Sequence, residues 1–181
     1  EDGYAYLRAC LDKLFRVARM VRLDHVMALH RLYWIPKGFP ATEGVYVRYP
    51  ADELYAAVML EAVRAGAVVV GEDLGTVPGA VRRQLQRRGL WRMYVLAFEA
   101  GSEPLRPPAP DTVTSLGTHD TAPFASWWEG VDLVELHRLG RMTEQQMSVE
   151  RDRRRAVVTA LARRLGVGDP SPRTALQAAL R

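Results

Sequence analysis

Arg22 and Asp24 stand two positions apart in the apolar-rich stretch Met20 to Val26. Residues two apart on a strand share a face, and a guanidinium beside a carboxylate favours its ionised form, the form in which a carboxylate acts as a nucleophile. The same pair would serve equally as a plain ion pair closing a strand. Glu72 follows the run Ala67-Val68-Val69-Val70 and lies between Gly71 and Asp73. An acid at the mouth of a buried strand is partly desolvated, which suits it to hold a proton near neutral pH. Its alternative is to favour the start of the next helix through the helix dipole, and for Asp73 that is the preferred reading. A third acid, Asp120, closes Gly117-Thr118-His119-Asp120. A His-Asp pair alone serves metal sites, hydrogen-bond networks and satisfied cores alike. His25, His30, His119 and His137 include no His-x-His, and no Cys/His cluster has zinc spacing, so a metal site is not expected.

These acids need elements to place them. Tyr4, Leu7, Leu11, Leu14, Phe15 and Ala18 recur at helical spacing, which predicts a helix over about 3–19. A strand follows over Met20 to Val26. Residues 27–49, with Pro36, Gly38, Pro40 and Gly44, read as irregular. Pro50 opens a second helix that Gly66 stops. Ala67 to Val70 reads as a buried strand by its length and β-branching. Thr76 and Pro78 fit the cap and first turn of a third helix, ended by Gly89. Met93 to Phe98 reads as a third strand, a Pro-rich loop covers 101–110, and Asp111 to Leu116 is the fourth strand. From 143 the pattern is helical, with Thr143 and Gln146 at capping-box spacing and Gly166 as the stop. Ser171-Pro172 starts a further helix that the chain end cuts off. Helices alternating with buried strands imply an α/β fold with a parallel sheet, whose chemistry sits in the loops at the carboxyl ends of the strands. Asp24, Glu72 and Asp120 all fall there.

Composition narrows the function classes. The chain has 181 residues, 48% hydrophobic and 25% charged, enough apolar material for a core. One cysteine, Cys10, excludes a disulfide scaffold. No stretch approaches the roughly 20 apolar residues of a membrane span, so no membrane partner is expected and the expected address is cytoplasmic. The net charge of +4 is uneven: residues 138–181 hold ten Arg against four acids, and residues 1–137 hold fifteen Lys and Arg against seventeen acids. A slightly acidic body with a basic tail does not read as a nucleic-acid binder. Singly, the aromatics Tyr33, Trp34 and Phe98 read as core residues; grouped on loops after strands, they could stack on the apolar faces of sugar rings. The adjacent Trp127 and Trp128 cannot share one side of a helix and read as mostly structural.

Together these pieces resemble a known family. Arg22-Leu23-Asp24-His25, Tyr33-Trp34-x-Pro36, Gly71-Glu72-Asp73-Leu74-Gly75-x-Val77-Pro78, Gly117-Thr118-His119-Asp120 and Trp127-Trp128 occur in the order found in the 4-α-glucanotransferases, glycoside hydrolase family 77, also called amylomaltases or disproportionating enzymes. The resemblance covers about residues 1–130. It implies a retaining enzyme with a (β/α)8 barrel, acting on α-1,4-glucans and maltooligosaccharides without a cofactor. By motif, Asp24 would be the nucleophile, Glu72 the general acid/base and Asp120 the acid that binds sugar hydroxyls. Arg22 would hold Asp24 ionised, His25, His119 and Trp34 would contact substrate, and Phe98 would lie near the acceptor side. Val26-Met27-Ala28 and Thr121-Ala122-Pro123 depart from the usual continuations, and neither alters the three acids. Alternatives are an α-glucan hydrolase or debranching enzyme with the same acids, or a non-catalytic glucan-binding or basic module. A complete barrel takes about 250 residues. The expectation is therefore a barrel segment of about four strands over 1–130, with a helical, Arg-rich stretch over 131–181. On that expectation the chain is inactive without the N-terminal half of its own barrel.

Overall fold

The computed structural model describes residues 2–99, 107–166, 171, 173 and 174. Two compact units emerge: residues 1–94 with 109–113, and residues 95–108 with 114–181. Both are α/β or helical assemblies built on short elements.

In the first unit, α1 (Ala5–Val17) leads into β1 (Met20–Leu23), and α2 (Ala51–Ala65) leads into β4 (Val68–Gly71). β1 and β4 pair in parallel, with Met20 opposite Val68 and Leu23 opposite Gly71. Next comes α3 (Gly79–Arg87), after which Trp91 bridges Val70, again in parallel, at the start of β5 (Arg92–Val95). Parallel strands need crossovers of about a dozen residues or more, and α2 and α3 supply them. Their apolar stripes meet those of α1 over the sheet: Leu11 and Phe15, Tyr55, Val58 and Ala62, and Val81 and Leu85 form one core with Val21 and Val69. Gly66 ends α2 with φ 58° and its N–H returned to Ala62 and Val63 carbonyls, the left-handed stop that glycine adopts without a Cβ penalty.

Residues 27–49 are not irregular throughout. They hold an antiparallel hairpin of β2 (Arg31–Trp34) and β3 (Val45–Arg48), with Tyr33 opposite Tyr46. The pattern hides it because β2 is exposed at every position, so no apolar alternation marks a buried face. Cross-strand contacts hold it instead. The Tyr33 and Tyr46 rings meet edge to face at 5.0 Å, and the Arg31 guanidinium lies 4.1 Å from the Tyr46 ring centre. A side chain at Gly44 would put its Cβ 2.5 Å from the Tyr33 ring, so the hairpin needs glycine there.

Asp73 does not serve the helix dipole. Its side chain is fully buried, and α3 starts only at Gly79. Its Oδ2 accepts from Arg92 Nε at 2.7 Å and lies 3.6 Å from Arg82 Nε, while Oδ1 accepts the Met93 N–H at 3.2 Å. The carboxylate thus ties the end of β4 to the start of β5. Nearby, Tyr55 is wholly buried, and burial pushes its hydroxyl up to about 12. The hydroxyl lies 3.2 Å from His30 Nε2. Burial, helped by Arg31 and opposed by Asp52, holds the His30 imidazole below its ordinary value.

β5 and β6 (Thr112–Ser115) pair with each other, and both begin in the first unit and end in the second. The third predicted strand is shorter than expected. It ends at Val95, and Leu96–Phe98 form a single 3-10 turn closed by the Glu99 N–H on the Leu96 carbonyl at 3.1 Å. The second unit then adds α4 (Phe124–Glu129), α5 (Val131–Arg138) and α6 (Glu144–Leu165). Thr143 and Gln146 cap α6 reciprocally as predicted, and Gly166 stops it at φ 65°. Arg154 is the centre of this unit. It is buried, forks onto both oxygens of Asp132 at 2.7 and 2.8 Å, donates to the Trp127 carbonyl at 2.8 Å and covers the Trp127 ring. Arg138, Arg153 and Arg155 pair with Glu135, Glu150 and Asp152 one turn away, so much of the basic run is matched along its own helices. Trp127 is buried and stacks on Phe124 with centres 5.8 Å apart, the structural role expected of it. Of the helix predicted from Ser171, Pro172 and all beyond Thr174 lie outside the described residues, as does 101–106 of the Pro-rich loop. Among the described residues no helix is long and apolar enough to cross a membrane.

Two measurements probe these buried contacts. Asp73→Ala leaves Arg92 and the Met93 N–H without their acceptor, and partial exposure of Arg92 tempers the loss to about 2–3 kcal/mol, read by chemical denaturation against the wild type. For His30, a folded pKa below the unfolded value of about 6.5 means the unfolded chain takes up the proton first. Stability is then full above about pH 6.5 and falls as the pH drops through the lower folded value. His30→Gln is expected to flatten that slope between about pH 7.5 and 5.

Candidate active site

The parallel register decides where the acids emerge. Leu23 and Gly71 are opposite partners, and Asp24 and Glu72 are the next residue of each strand. Neighbouring strands lie about 4.8 Å apart, so the two carboxylates leave the sheet from adjacent roots. β1 ends at Leu23, yet Arg22 and Asp24 still reach each other, with Arg22 Nη2 at 2.6 Å from Asp24 Oδ1. Asp24 is open, with 76% of its side chain exposed. Arg22 Nε donates to Met93 Sδ at 3.3 Å, which holds the guanidinium from its other side. Met93 carries no signal in the sequence, since its part depends on where β5 comes to rest.

Among the described residues, main-chain groups hold Glu72. Its N–H donates to the Leu23 carbonyl at 2.9 Å, and its carbonyl accepts the Val26 N–H at 3.1 Å. Its carboxylate accepts the His25 N–H on Oε2 at 2.9 Å and the Leu74 N–H on Oε1 at 2.8 Å. His25 adopts φ 44° and ψ 61° to present that N–H. Left-handed backbone costs an L-residue about 1–2 kcal/mol. The hydrogen bond to Glu72 offsets that cost. Beneath Glu72, a Cβ on Gly71 would meet Leu85 at 3.0 Å and Val26 at 3.1 Å, so the strand end packs directly on the core. The Leu74 N–H is the second group that residue types alone do not disclose.

Arg22, Asp24, His25 and Glu72 therefore come together in the first unit. Trp34 belongs to the same unit, at the end of β2, where it is exposed and donates from Nε1 to the Tyr49 hydroxyl at 3.0 Å. His119, Asp120 and Phe98 belong to the second unit. Asp120 Oδ2 lies 3.3 Å from His119 Nε2, and both side chains are largely exposed. Their loop is shaped by Thr121, whose Oγ1 accepts the Thr118 N–H and donates to the Thr118 carbonyl, both at 2.8 Å. A Cβ at Gly117 would fall 2.7 Å from that Oγ1, so glycine precedes the turn. Phe98 closes the 3-10 turn after β5 and is half exposed. Among the described residues no group of three or more His, Cys, Asp or Glu is placed to hold a metal ion. Chemically, the first unit offers an exposed carboxylate beside a cation and, on the next strand, a second carboxylate with both oxygens on peptide N–H groups.

Comparison with known proteins fits this arrangement. Residues 1–175 match the family model described as 4-alpha-glucanotransferase, glycoside hydrolase family 77. A 4-alpha-glucanotransferase of Mycobacterium tuberculosis is 41% identical over 178 residues, 92% of this chain and 24% of that protein. One from Haemophilus influenzae is 40% identical over 138 residues, 75% of this chain and 20% of that protein. The chain thus spans about a quarter of the length of the relatives it matches. Among solved structures, an amylomaltase from Corynebacterium glutamicum superposes with a TM-score of 0.80 at 30% identity, over 97% of this chain and 26% of that one. An amylomaltase from Streptococcus agalactiae, solved in complex with acarbose, shares the fold with a TM-score of 0.71 at 18% identity, over 98% of this chain and 33% of that one. Matched by the family model over nearly its whole length, the chain belongs to the 4-alpha-glucanotransferases of glycoside hydrolase family 77.

Proposed function

We propose that this chain carries the nucleophile and acid/base half of a 4-α-glucanotransferase that moves α-1,4-glucan segments between maltooligosaccharides. The observation that carries the reading is the pair of acids at adjacent parallel strand ends, Asp24 beside Arg22 and Glu72 on the next strand, in a member of this family. In fold terms the segment is part of a (β/α)8 barrel over about residues 1–130, followed by an Arg-rich helical stretch over 131–181. The remaining length found in the relatives supplies the other strands and the rest of the sugar subsites.

Retaining transfer needs two carboxyl groups about 5–5.5 Å apart. An Asp24 oxygen attacks the anomeric carbon of the donor, and protonated Glu72 gives its proton to the departing 4-oxygen. The glucosyl-aspartate ester that results is then attacked by the 4-OH of an acceptor glucan. Glu72 takes the acceptor's proton and returns to its starting state. Arg22 orients Asp24 through its 2.6 Å contact. Asp120 and His119 bind sugar hydroxyls, His25 contacts the sugar where bonds break, and Trp34 and Phe98 offer ring faces to it.

Maltotriose distinguishes this reading from hydrolysis. The full natural protein is expected to convert it to glucose and longer oligosaccharides, whereas reducing ends without elongation would indicate a hydrolase. The 181 residues alone are expected to give neither until the N-terminal barrel segment is added. In the full protein, Arg22→Ala is expected to lower kcat by about 100-fold through misplacement of Asp24, with little change in melting temperature because Arg22 lies outside the core.

A further inference from the structure

Asp24 sits inside a bracket made by one residue. Leu23 before it accepts the Glu72 N–H at 2.9 Å, and Val26 beyond it donates to the Glu72 carbonyl at 3.1 Å. Both of these bonds are main chain to main chain and survive any change of side chain. Between them, His25 donates its N–H to Glu72 Oε2 at 2.9 Å while holding φ 44° and ψ 61°. This third bond alone depends on the carboxylate. The left-handed region costs an L-residue about 1–2 kcal/mol, and with the acceptor gone only the Ala28 N–H on the His25 carbonyl, at 2.8 Å, is left among the described residues to hold His25 there. The peptide unit that would turn is the one joining Asp24 to His25, and the Asp24 backbone would turn with it.

On the reading that Asp24 is the nucleophile and Glu72 the acid/base, we propose that Glu72 has a second task as a positioning residue for the nucleophile. Its carboxylate holds the peptide after Asp24 through the His25 N–H, and the Leu74 N–H steadies its other oxygen at 2.8 Å. This task is separable from proton transfer by the choice of donor. With α-maltotriosyl fluoride, an Asp24 oxygen attacks C1, the C1–O bond forms, the C1–F bond breaks, and fluoride leaves with the bonding pair. No proton is needed for departure. A residue acting only as acid would then be dispensable in this step.

The test is single-turnover fluoride release from α-maltotriosyl fluoride by the full natural protein and its Glu72→Ala and Glu72→Gln variants. Glu72→Ala is expected to form the glycosyl-enzyme about 10–100-fold more slowly than wild type, as a misplaced nucleophile should. Added formate, whose two oxygens fit the two vacated N–H groups, is expected to restore part of that rate. Glu72→Gln, which keeps one acceptor oxygen and the side-chain shape, is expected to lose less. A Glu72→Ala rate within about twofold of wild type and indifferent to formate overturns the proposal, because a misplaced nucleophile costs far more than that. Should Glu72→Ala not fold, Glu72→Gln decides: a measurable deficit with the fluoride donor supports the proposal, and a full wild-type rate overturns it. A wild type that releases no fluoride and carries no glycosyl group contradicts the reading of Asp24 itself, and the positioning role falls with it.

Discussion

The register that sets Leu23 opposite Gly71 in two parallel strands is the constraint on which the site rests. Parallel pairing obliges each strand to be followed by a crossover, and the crossovers bury their apolar stripes against the sheet, which fixes the strands in depth. The period of two along a strand means that a slip of one residue would turn every side chain to the opposite face. Gly71 makes such a slip costly, because any residue moved into its place would put a Cβ 3.0 Å from Leu85 and 3.1 Å from Val26. Asp24 and Glu72 inherit that rigidity because each is only one residue beyond the last paired position.

Glu72 and Asp73 are neighbours in sequence with opposite fates. Successive residues of an extended chain point to opposite sides, so one acid faces the opening at the strand ends and the other turns inward. The inward one is neutralised by Arg92, with Arg82 close by, and also binds the Met93 N–H. Met93 in turn places its sulphur on Arg22, and Arg22 meets Asp24. A buried ion pair and an exposed one are thus two contacts apart, and the strand between them, β5, belongs to both. The second unit uses the same device in its own core, where Arg154 gathers Asp132, Glu150 and the Trp127 ring.

Much of this was legible in the residues. α1, α2 and α6 announce themselves through apolar spacing, the Thr143–Gln146 cap and the glycine stops at 66 and 166, whereas the short α4 carries no such signal. The valine run of β4 reads as buried because it is. The β2–β3 hairpin does not, since an exposed ribbon held by Tyr33, Tyr46 and Arg31 has no apolar face to alternate with. Asp24, Glu72 and Arg22 were visible from their place at strand ends. The role of Asp73 is hidden in the sequence, because its partners Arg92 and Met93 lie about twenty residues on and only folding brings them near. The peptide N–H groups of His25 and Leu74 were invisible for a deeper reason: every residue but proline has one, and only the backbone turn decides which becomes a ligand.

The central claim is that Asp24 forms a covalent bond to sugar, and trapping that bond tests it most directly. The full natural protein with Glu72→Gln, exposed to α-maltotriosyl fluoride and quenched in acid, should retain a maltotriosyl ester, because the next step lacks its base. Digestion and mass spectrometry are expected to place the added mass on the peptide containing Asp24, and to find none when Asp24→Asn is combined with the same change. A sugar ester on Asp120 or any other acid, or no adduct while fluoride is still released, would contradict the account.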